Sequence, residues 1–270
     1  MLKDLEETVG KDYEKVKTEY NYHCHNYLCN HAVGNVCDYV KEAVKNGLKV
    51  IGVSDHAVFP ALEDANLPYL NVKDADKLYL PQFDEANEAF GDKITVKKGF
   101  ELEYLENSDD VYENLLKKVD YLILGEHYVK IDGRQLFAFS EHTVSDAVRV
   151  YDLMIKGVKT GYFKICAHPD LIYSRTVGDD GRVLDKLTEL IAECKEKGVL
   201  TELNANGLRC NHEWYPTDEL VSICKKLGAK VIVSSDNHRP EWLCDEYMKK
   251  LLCYAVKKGL DVAKREEIKI

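Results

Sequence analysis

Residues 49–56 read KVIGVSDH and residues 230–238 read KVIVSSDNH, and these two stretches show the pattern that decides the fold. Each begins with a short apolar run rich in β-branched residues, as buried parallel strands do, and each ends with an aspartate and a histidine. Similar runs recur along the chain. We therefore predict seven strands, over residues 20–25, 49–54, 94–101, 119–125, 162–167, 199–204 and 230–235.

Segments with the apolar spacing of helices lie between the predicted strands. Residues 36–47 and 183–194 are examples, in which apolar side chains recur every three or four positions. Repeated alternation of strand and helix favours right-handed parallel crossovers, so seven such units predict an α/β fold with a closed or nearly closed barrel. The irregular stretch 57–82 is predicted to be a long loop followed by a helix, at the rim of a site.

A single domain is expected over residues 1–270, because no stretch rich in Pro, Gly or Ser divides the chain. We assign an N-terminal helix to residues 1–19, the barrel to residues 20–242, and a C-terminal helix and tail to residues 243–270. The tail is expected to contain a terminal strand. A length of 270 residues is sufficient for one α/β barrel.

The chain is acidic. Its 37 Lys and Arg against 47 Asp and Glu give a formal net charge of −10, and the isoelectric point is about 5.4. This balance disfavours nucleic acid and anionic membranes as partners. Nine cysteines without a CxxC pair are typical of reduced thiols in the cytosol. No apolar run approaches about 18 residues and the N-terminus has no apolar signal core, so we expect a soluble, cytoplasmic protein.

Six of the nine histidines lie on or at the ends of predicted strands, together with two carboxylates, and a seventh, His31, lies in the loop LCNHA away from a strand end. The set comprises His23, His25, His31, His56, Glu101, His127, His168, Asp236 and His238. A single histidine at a strand end is usually a hydrogen-bonded structural residue. Side chains at the carboxyl ends of successive parallel strands converge on one mouth of a barrel, however, and this set would be poorly compensated there without a cation. The joint pattern predicts a multinuclear metal site.

The ordered motifs resemble those of the polymerase and histidinol phosphatase (PHP) family. They are HCH at 23–25, LCNHA at 28–32, GVSDHA at 52–57, GFE at 99–101, EH at 126–127, AHPDL at 167–171 and SSDNHRP at 234–240. The match runs from about Tyr20 to about Trp242. Within the family the chain is most similar to the stand-alone histidinol-phosphate phosphatases, on the evidence of the CNHA form and of ELNANGLR at 202–209 and YPTDEL at 215–220.

The resemblance implies a distorted seven-stranded TIM-like barrel with three divalent transition metal ions. It implies that one ion takes His23, His25, Glu101 and Asp236, that a second shares Glu101 and adds His127 and His168, and that the third takes His31, His56 and His238. Imidazole and carboxylate ligands suit Zn, Mn or Fe without discriminating between them. The implied reaction is hydrolysis of L-histidinol phosphate to L-histidinol and phosphate, with a metal-bridging hydroxide as nucleophile.

Two positions depart from the family pattern. Asn26 stands where a hydroxyl residue is usual after the HxH motif, and Glu126 replaces a small or apolar residue before the motif histidine. Glu126 could tune a metal or face solvent. Glu103 shares a strand face with Glu101 and is the closest competitor for a place among the ligands.

A phosphate group favours arginine, whose guanidinium presents a fork of donors. Arg209 is our first candidate, with a surface position as the alternative. Arg239 is the second and could line the site or stack on its rim, and Arg175 is a third and weaker candidate. Glu202 could bind the amino group of an amino alcohol, orient a metal ligand, or only pair with a neighbouring lysine. His212 lies close enough to Arg209 in sequence to contact substrate.

Other side chains are assigned supporting roles. Asp55 is expected to support its neighbour His56 rather than bind a metal itself. A tyrosine, Tyr104, Tyr128 or Tyr215, could stack on an imidazole ring.

Alternative functions remain open from the sequence. The same metals could act on another small phosphorylated metabolite or on a nucleotide phosphoester. A module that uses metals only to hold its fold is disfavoured by the absence of an attached domain in these 270 residues. A metal-dependent amide hydrolase is least favoured, since no candidate bridging lysine stands out. The sequence does not determine the oligomeric state.

Overall fold

The computed structural model describes residues 2–59, 62, 67–210 and 214–270. Its strands, numbered in chain order, are β1 Tyr20–Asn21, β2 Val50–Val58, β3 Leu70–Asn71, β4 Thr95–Leu102, β5 Tyr121–Leu124, β6 Tyr128–Ile131, β7 Arg134–Phe137, β8 Phe163–Cys166, β9 Leu200–Asn204, β10 Lys230–Ser234 and β11 Asp261–Val262. Each of the seven strands predicted from the sequence has a counterpart here, and β11 is the expected strand of the tail.

The main sheet is parallel throughout, in the order β1-β2-β4-β5-β8-β9-β10-β11, with β3 beside β2. It curls until the segments that follow β1 and β10 meet. There His25 N donates to Asn237 O at 3.0 Å and Asp236 N donates to His23 O at 2.9 Å. The predicted α/β class and TIM-like barrel are confirmed, in a distorted form that closes through these few hydrogen bonds at one end.

Helices connect the strands. They are α1 Leu5–Val9, α2 Val36–Lys45, α3 Ala75–Leu78, α4 Leu80–Phe90, α5 Asp109–Leu116, α6 Val144–Thr160, α7 Leu171–Ser174, α8 Arg182–Lys197, α9 Asn206–Arg209, α10 Asp218–Leu227 and α11 Glu246–Lys257. Short 3-10 helices cover Asp12–Lys15, Tyr27–Cys29, Val72–Asp74, Pro240–Trp242 and Arg265–Glu267. The longer helices bury one apolar face, as in α8, where Leu187, Leu190 and Ile191 are fully buried.

The amino-terminal half of the barrel interior is filled by large side chains. Tyr121 lies across the interior and donates its hydroxyl to Tyr22 O at 2.5 Å. Its ring occupies space that glycines leave open: a Cβ atom would lie 2.2 Å from its hydroxyl oxygen at Gly52 and 2.4 Å from its Cζ at Gly99. This end of the barrel is therefore a packed core, as in other barrels of this type.

The hairpin of β6 and β7 was not predicted. It pairs Tyr128–Ile131 with Arg134–Phe137 in antiparallel register, directly after His127. Asp132 and Gly133 form the turn with φ of 51° and 75°. An Asp-Gly pair between short alternating runs is a strong hairpin signal, so the sequence did contain the information.

The irregular stretch 57–82 agrees in part with its prediction. Residues 60, 61 and 63–66 lie outside the described residues. From residue 67 onward the chain forms β3, a 3-10 turn and α3, and then enters α4 at Leu80. Across the described ranges, no helix combines the length and apolarity needed to cross a lipid bilayer.

Candidate metal centre

Nine histidine and carboxylate side chains converge at the carboxyl-terminal mouth of the barrel. They come from the segment after β1, from the carboxyl ends of β2 and β4, and from the segments after β5, β8 and β10. They are the predicted set, His23, His25, His31, His56, Glu101, His127, His168, Asp236 and His238, and all except His31 and His238 are buried. The parallel topology thus brings residues 215 positions apart into one cluster, as the strand-end pattern predicted.

The Glu101 carboxylate lies at the centre of this cluster. Its Oε1 is 3.1 Å from His168 Nε2 and 3.5 Å from His127 Nε2. Its Oε2 is 3.1 Å from both His23 Nε2 and His56 Nδ1. One carboxylate with imidazoles near both oxygens lies where it could act as a metal ligand.

The ligand atoms fall into overlapping groups, within each of which all atoms lie within 4.8 Å of one another. The groups are His23, His25 and Asp236; His25, His56 and Glu101; Glu101, His127 and His168; His31, His56 and His238; and His25, Cys29 and His238. Several adjoining groups of nitrogen and oxygen donors support the use of divalent metal ions. The last group includes Cys29, which sequence reasoning had not singled out.

Unpaired polar atoms provide a test of whether the residues fit metal ions. His23 Nε2, His25 Nδ1 and Glu101 Oε2 are buried and make no well-oriented hydrogen bond among the described residues, although His23 Nε2 and Glu101 Oε2 face each other at 3.1 Å. Buried polar groups nearly always have partners, and leaving one unmade costs about 1–3 kcal/mol. Unpaired buried atoms also occur elsewhere, at Thr18, Thr201 and Ser234 among others, but three potential ligand atoms within one cluster fit a site where cations complete the coordination.

The charges within the cluster also fit metal binding. Burial alone would raise the pKa of Glu101, but the surrounding imidazoles, His23 foremost, hold it well below its usual range. Burial lowers the pKa of His127 to about 4 and, with a further contribution from His25, that of His238 to about 3. Although burial opposes it, the neighbouring carboxylates raise the pKa of His23 well above its usual range and that of His25 to about 9. Ionised carboxylate and neutral imidazole are the forms that bind metals, so Glu101, His127 and His238 are ready to bind, whereas His23 and His25 would release a proton on binding.

Backbone strain occurs at two of the converging residues. His168 has φ of 27° and Asp236 has φ of 44°, a region that only a few per cent of residues other than glycine adopt. Such conformations persist where the surrounding structure over-determines them, and they are concentrated at functional sites.

Glu202 orients a predicted ligand rather than facing the cavity. Its Oε1 lies 2.7 Å from His23 Nδ1, and its Oε2 accepts hydrogen bonds from His168 N at 3.0 Å and Asn204 Nδ2 at 2.8 Å. Asn204 Nδ2 also donates to Asp236 Oδ2 at 2.9 Å. Both oxygens of the Glu202 carboxylate therefore have partners within the protein, which supports the predicted role of orienting a metal ligand.

Asp55 and the departures from the family pattern also have defined contacts. Asp55 Oδ1 accepts from His56 N at 3.0 Å and lies 3.4 Å from His25 Nδ1, consistent with a supporting role. Asn26 begins the 3-10 helix Tyr27–Cys29, with its side chain accepting from Leu28 N at 2.9 Å. This explains an amide at that position, since it caps the turn that carries the second motif.

Glu126 does not face solvent. It is buried, accepts from Tyr104 N at 2.7 Å, and has a pKa that burial raises to about 8. Glu103 is buried as well and lies with its Oε1 3.8 Å from His127 Nδ1, on the far side of that ring from Glu101.

A cavity of about 420 Å³ opens over the cluster. Besides predicted ligands, it is lined by Val33, Tyr69, Phe139, Asn206, Cys210, Tyr215, Arg239 and Trp242. Tyr69 and Phe139 come from irregular segments and had not been singled out, because no periodicity marks residues of a loop as cavity-lining. Arg239 lines the cavity with its side chain half exposed and its guanidinium 5.5 Å from the centre of the Trp242 ring.

Arg209, the first candidate for phosphate, is not among the described residues that line this cavity. Its side chain is 5% exposed, and its Nε donates to Asp245 Oδ2 at 2.6 Å. The remaining guanidinium nitrogens donate to Asn206 Oδ1 and to Ser235 O, both at 3.1 Å, and more weakly to Trp242 O at 3.4 Å. The structure thus gives Arg209 an internal set of acceptors, which corrects our expectation of a phosphate contact.

Three further residues, Arg175, His212 and Tyr215, had been predicted to lie near the substrate or a metal ligand. The Arg175 guanidinium packs 4.3 Å from the centre of the Trp214 ring, and its Nε donates to Phe139 O at 3.2 Å, outside the described lining of the cavity. His212 lies outside the described residues. Tyr215 does pack against an imidazole, with its ring centre 5.6 Å from that of His168.

Comparison with known proteins agrees with this geometry. The PHP domain family matches residues 21–206. A probable histidinol-phosphatase of Deinococcus radiodurans is 25% identical over 81% of this chain and 85% of its own length. A probable phosphatase of Acetivibrio thermocellus is 26% identical over 80% of this chain and 78% of its own length.

Among solved structures, the histidinol phosphate phosphatase of Lactococcus lactis, in complex with Zn, L-histidinol and phosphate, superposes with a TM-score of 0.67 at 19% identity. The alignment covers 92% of this chain and 96% of that one, which shows a shared fold. Because the family match spans more than half of the sequence, the chain belongs to the PHP domain family, as its motifs predicted.

Proposed function

We propose that the chain is a metal-dependent phosphoric monoester hydrolase that converts L-histidinol phosphate and water to L-histidinol and phosphate. The observation that carries the proposal is the convergence of nine nitrogen and oxygen ligands on one cavity, around the Glu101 carboxylate. Phosphate monoesters are among the slowest compounds to hydrolyse unaided, so concentrated positive charge is the effect most needed. The names of the relatives in Deinococcus radiodurans and Lactococcus lactis support the choice of substrate.

We assign three divalent ions to the cluster, Zn, Mn or Fe. The first would be held by His23, His25, Glu101 and Asp236, the second by Glu101, His127 and His168, and the third by His31, His56 and His238. The grouping of ligand atoms supports the second and third sets in full and the first without Glu101, which is grouped with His25 and His56. When bound, such ions supply positive charge opposite the phosphoryl oxygens and make water acidic enough to attack near neutral pH. The Zn in the Lactococcus lactis structure favours Zn among the three.

The remaining residues position the substrate and the ligands. Arg239 is the candidate for the phosphate group, because its guanidinium lines the cavity and keeps donors free of strong internal acceptors: Glu241 Oε1 is 3.8 Å from its Nη1. Glu202 fixes the ring of His23 through the 2.7 Å contact to Nδ1, so that Nε2 faces Glu101. Arg209 holds Asn206 and Ser235 at the mouth rather than the substrate.

Residues 1–270 are proposed to form one domain. The two ends of the chain pack together, with Tyr254 Oη donating to Asp4 Oδ1 at 2.9 Å and Lys250 Nζ 2.9 Å from Glu6 Oε1. Leu5 and Leu251 belong to the same core. The acidic composition and the cysteine pattern support a cytoplasmic protein that takes a small phosphorylated substrate rather than nucleic acid.

The substrate assignment is tested by steady-state kinetics of the metal-loaded chain with L-histidinol phosphate, a sugar phosphate and a nucleoside monophosphate. We expect kcat/KM for L-histidinol phosphate to exceed the others by at least about 100-fold, a ratio that polar recognition of a leaving group can supply. His23→Ala should remove the activity, whereas His142→Ala, at a histidine outside the cluster, should keep it. A chain that hydrolyses none of the three contradicts the reaction class; a preference for either other ester contradicts the substrate.

One observation favours a second substrate class. Among the described residues that line the cavity, the only carboxylate is Asp236, which we assign to a metal. The ammonium group of L-histidinol would then lack an anionic partner there, whereas an uncharged leaving group would need none. The same panel of esters decides between the two classes, since the sugar phosphate represents the second.

A further inference from the structure

We infer that Tyr215 is a further catalytic residue, whose phenolic hydroxyl donates a hydrogen bond to an oxygen of the substrate's phosphate group. The inference rests on the proposed phosphatase function. It adds a neutral donor, supplied by the segment between α9 and α10, to the cationic groups already assigned to the site.

Tyr215 lies at the wall of the cavity, beside the metal ligands. It is 2% exposed, and its ring centre is 5.6 Å from that of His168. Burial, with a smaller contribution from the charge of Asp236, raises the pKa of the Tyr215 hydroxyl well above its usual range, so the group is a neutral donor. Tyr215 therefore lies at the wall of the cavity beside a proposed metal ligand, where a phosphate group would lie.

The Tyr215 hydroxyl differs from other buried tyrosine hydroxyls in having no internal acceptor. Within the described ranges it makes no hydrogen bond. The hydroxyl oxygen is not fully buried, so it is open to the cavity. Four comparably buried tyrosines each donate to a backbone carbonyl oxygen at 2.5 to 2.9 Å, namely Tyr79 to Val53, Tyr112 to Glu103, Tyr121 to Tyr22 and Tyr151 to Pro169. A buried phenol normally finds a partner, so this donor is available to a ligand.

Tyr69 also lines the cavity without a hydrogen bond from its hydroxyl among the described residues. Its ring lies flat on His56, with centres 4.5 Å apart, and it is only partly buried. Both hydroxyls are open to the cavity, and Tyr215 is the stronger candidate because it is 2% exposed whereas Tyr69 is only partly buried.

The backbone holds Tyr215 in place. A Cβ atom at position 207 would lie 2.0 Å from the Tyr215 carbonyl oxygen, so the chain packs directly against Gly207. Two residues further on, Thr217 N donates to Asp170 Oδ2 at 2.6 Å, and Asp170 follows His168 by two positions. The backbone around Tyr215 is thus fixed against two segments that carry cavity residues, which keeps the hydroxyl donor preorganised.

Hydrogen bonds to an ionised acceptor are about twice as strong as those between neutral groups. A phenol donates one such bond to a phosphate oxygen without adding charge to the site. Its removal from a preorganised site should cost about 10- to 100-fold in binding of the phosphate group, the range for a hydrogen bond to a charged partner.

The test compares Tyr215→Phe with Tyr162→Phe, which removes a hydroxyl that bonds Asp109 Oδ1 at 3.1 Å on the outer surface. Calorimetric titration of the metal-loaded proteins with inorganic phosphate measures the dissociation constant directly, and kcat/KM and metal content are measured on the same samples. We expect Tyr215→Phe to raise the phosphate dissociation constant and lower kcat/KM, both about 10- to 100-fold, with full metal content. Tyr162→Phe should match the wild type.

Three results would overturn the inference. The first is phosphate binding by Tyr215→Phe equal to that of the wild type, and the second is a wild type that binds no phosphate. The third is loss of metal in Tyr215→Phe, which would mean that Tyr215 acts through His168. Failure of the proposed function is a separate result. A wild type that binds phosphate through Tyr215 but hydrolyses no phosphomonoester would refute the reaction and leave the binding role intact.

Discussion

The two ends of the barrel interior differ in how their buried polar groups are hydrogen-bonded. At the amino-terminal end, Tyr121 donates to Tyr22 O and Tyr20 donates to Ala263 O, both at 2.5 Å, among isoleucines and valines. At the carboxyl-terminal mouth, His23 Nε2 and Glu101 Oε2 are buried and make no well-oriented hydrogen bond within the described part of the chain. One end satisfies its polar groups internally and the other leaves them for a ligand.

The difference shows where stability and function reside in this chain. A closed apolar end with paired hydroxyls stabilises the fold, whereas unpaired polar atoms and the positive φ of His168 and Asp236 cost folding free energy at the mouth. The cost persists because the rest of the barrel, built from the same strands, offsets it. Substitutions at the two ends should therefore have separable effects.

Gly125→Ala should have the largest effect, at the mouth. A Cβ atom at position 125 would lie 2.2 Å from Glu101 Oε1, so the central carboxylate must move. We expect loss of bound metal and a fall in phosphatase kcat of about 100-fold or more, since the ligands act as a unit. Elemental analysis and steady-state kinetics measure both. Full metal content together with normal kcat would show that Glu101 does not hold the cluster together.

Gly99→Ala makes the same change at the closed end. The new methyl group would lie 2.4 Å from Tyr121 Cζ, inside a packed core. Overpacking of this kind costs about 1–3 kcal/mol in the free energy of unfolding. Urea denaturation should show that loss, while the folded fraction keeps its metal and its kcat. Loss of metal without loss of stability would remove the distinction between the two ends.

Arg209→Lys should have the smallest effect on activity. The lysine keeps the charge near Asp245 but loses the fork that reaches Asn206 and Ser235, so we expect stability to fall by about 1–2 kcal/mol. KM for the phosphate ester should stay within about threefold. Arg239→Lys, the matched change at the cavity, should instead weaken phosphate binding and leave the denaturation midpoint unchanged. A large rise in KM for Arg209→Lys would restore the original assignment.

Much of this could be predicted from the sequence, because strand-end chemistry is local information. Each predicted parallel strand is present, and the motif residues converge because parallel strands share one direction. The structure agrees with the prediction for His127 and His168 from adjoining strands: their Nε2 atoms lie 3.1 Å apart. The hairpin after His127 was not predicted, although the pair Asp132 and Gly133 is a sequence signal for its turn.

The substrate-facing side chains could not be predicted in the same way. Arg209 seemed suited to phosphate by its place after β9, but its acceptor Asp245 lies 36 residues further along the chain, at the start of α11. Phe139 and Tyr69 lie in irregular segments whose path depends on tertiary packing. The local sequence pattern determines which residues lie at strand ends. It does not determine which long side chains form hydrogen bonds with acceptors from distant parts of the chain.

The central claim is that the mouth of the barrel is a metal centre on which phosphatase activity depends. The most direct measurement is the number of transition metal ions per chain by elemental analysis, made on the same sample whose phosphatase activity is assayed before and after chelation. We predict three ions per chain, with activity lost on their removal while the circular dichroism of the barrel persists. A sample without bound transition metal that still hydrolyses the phosphate ester would contradict the account.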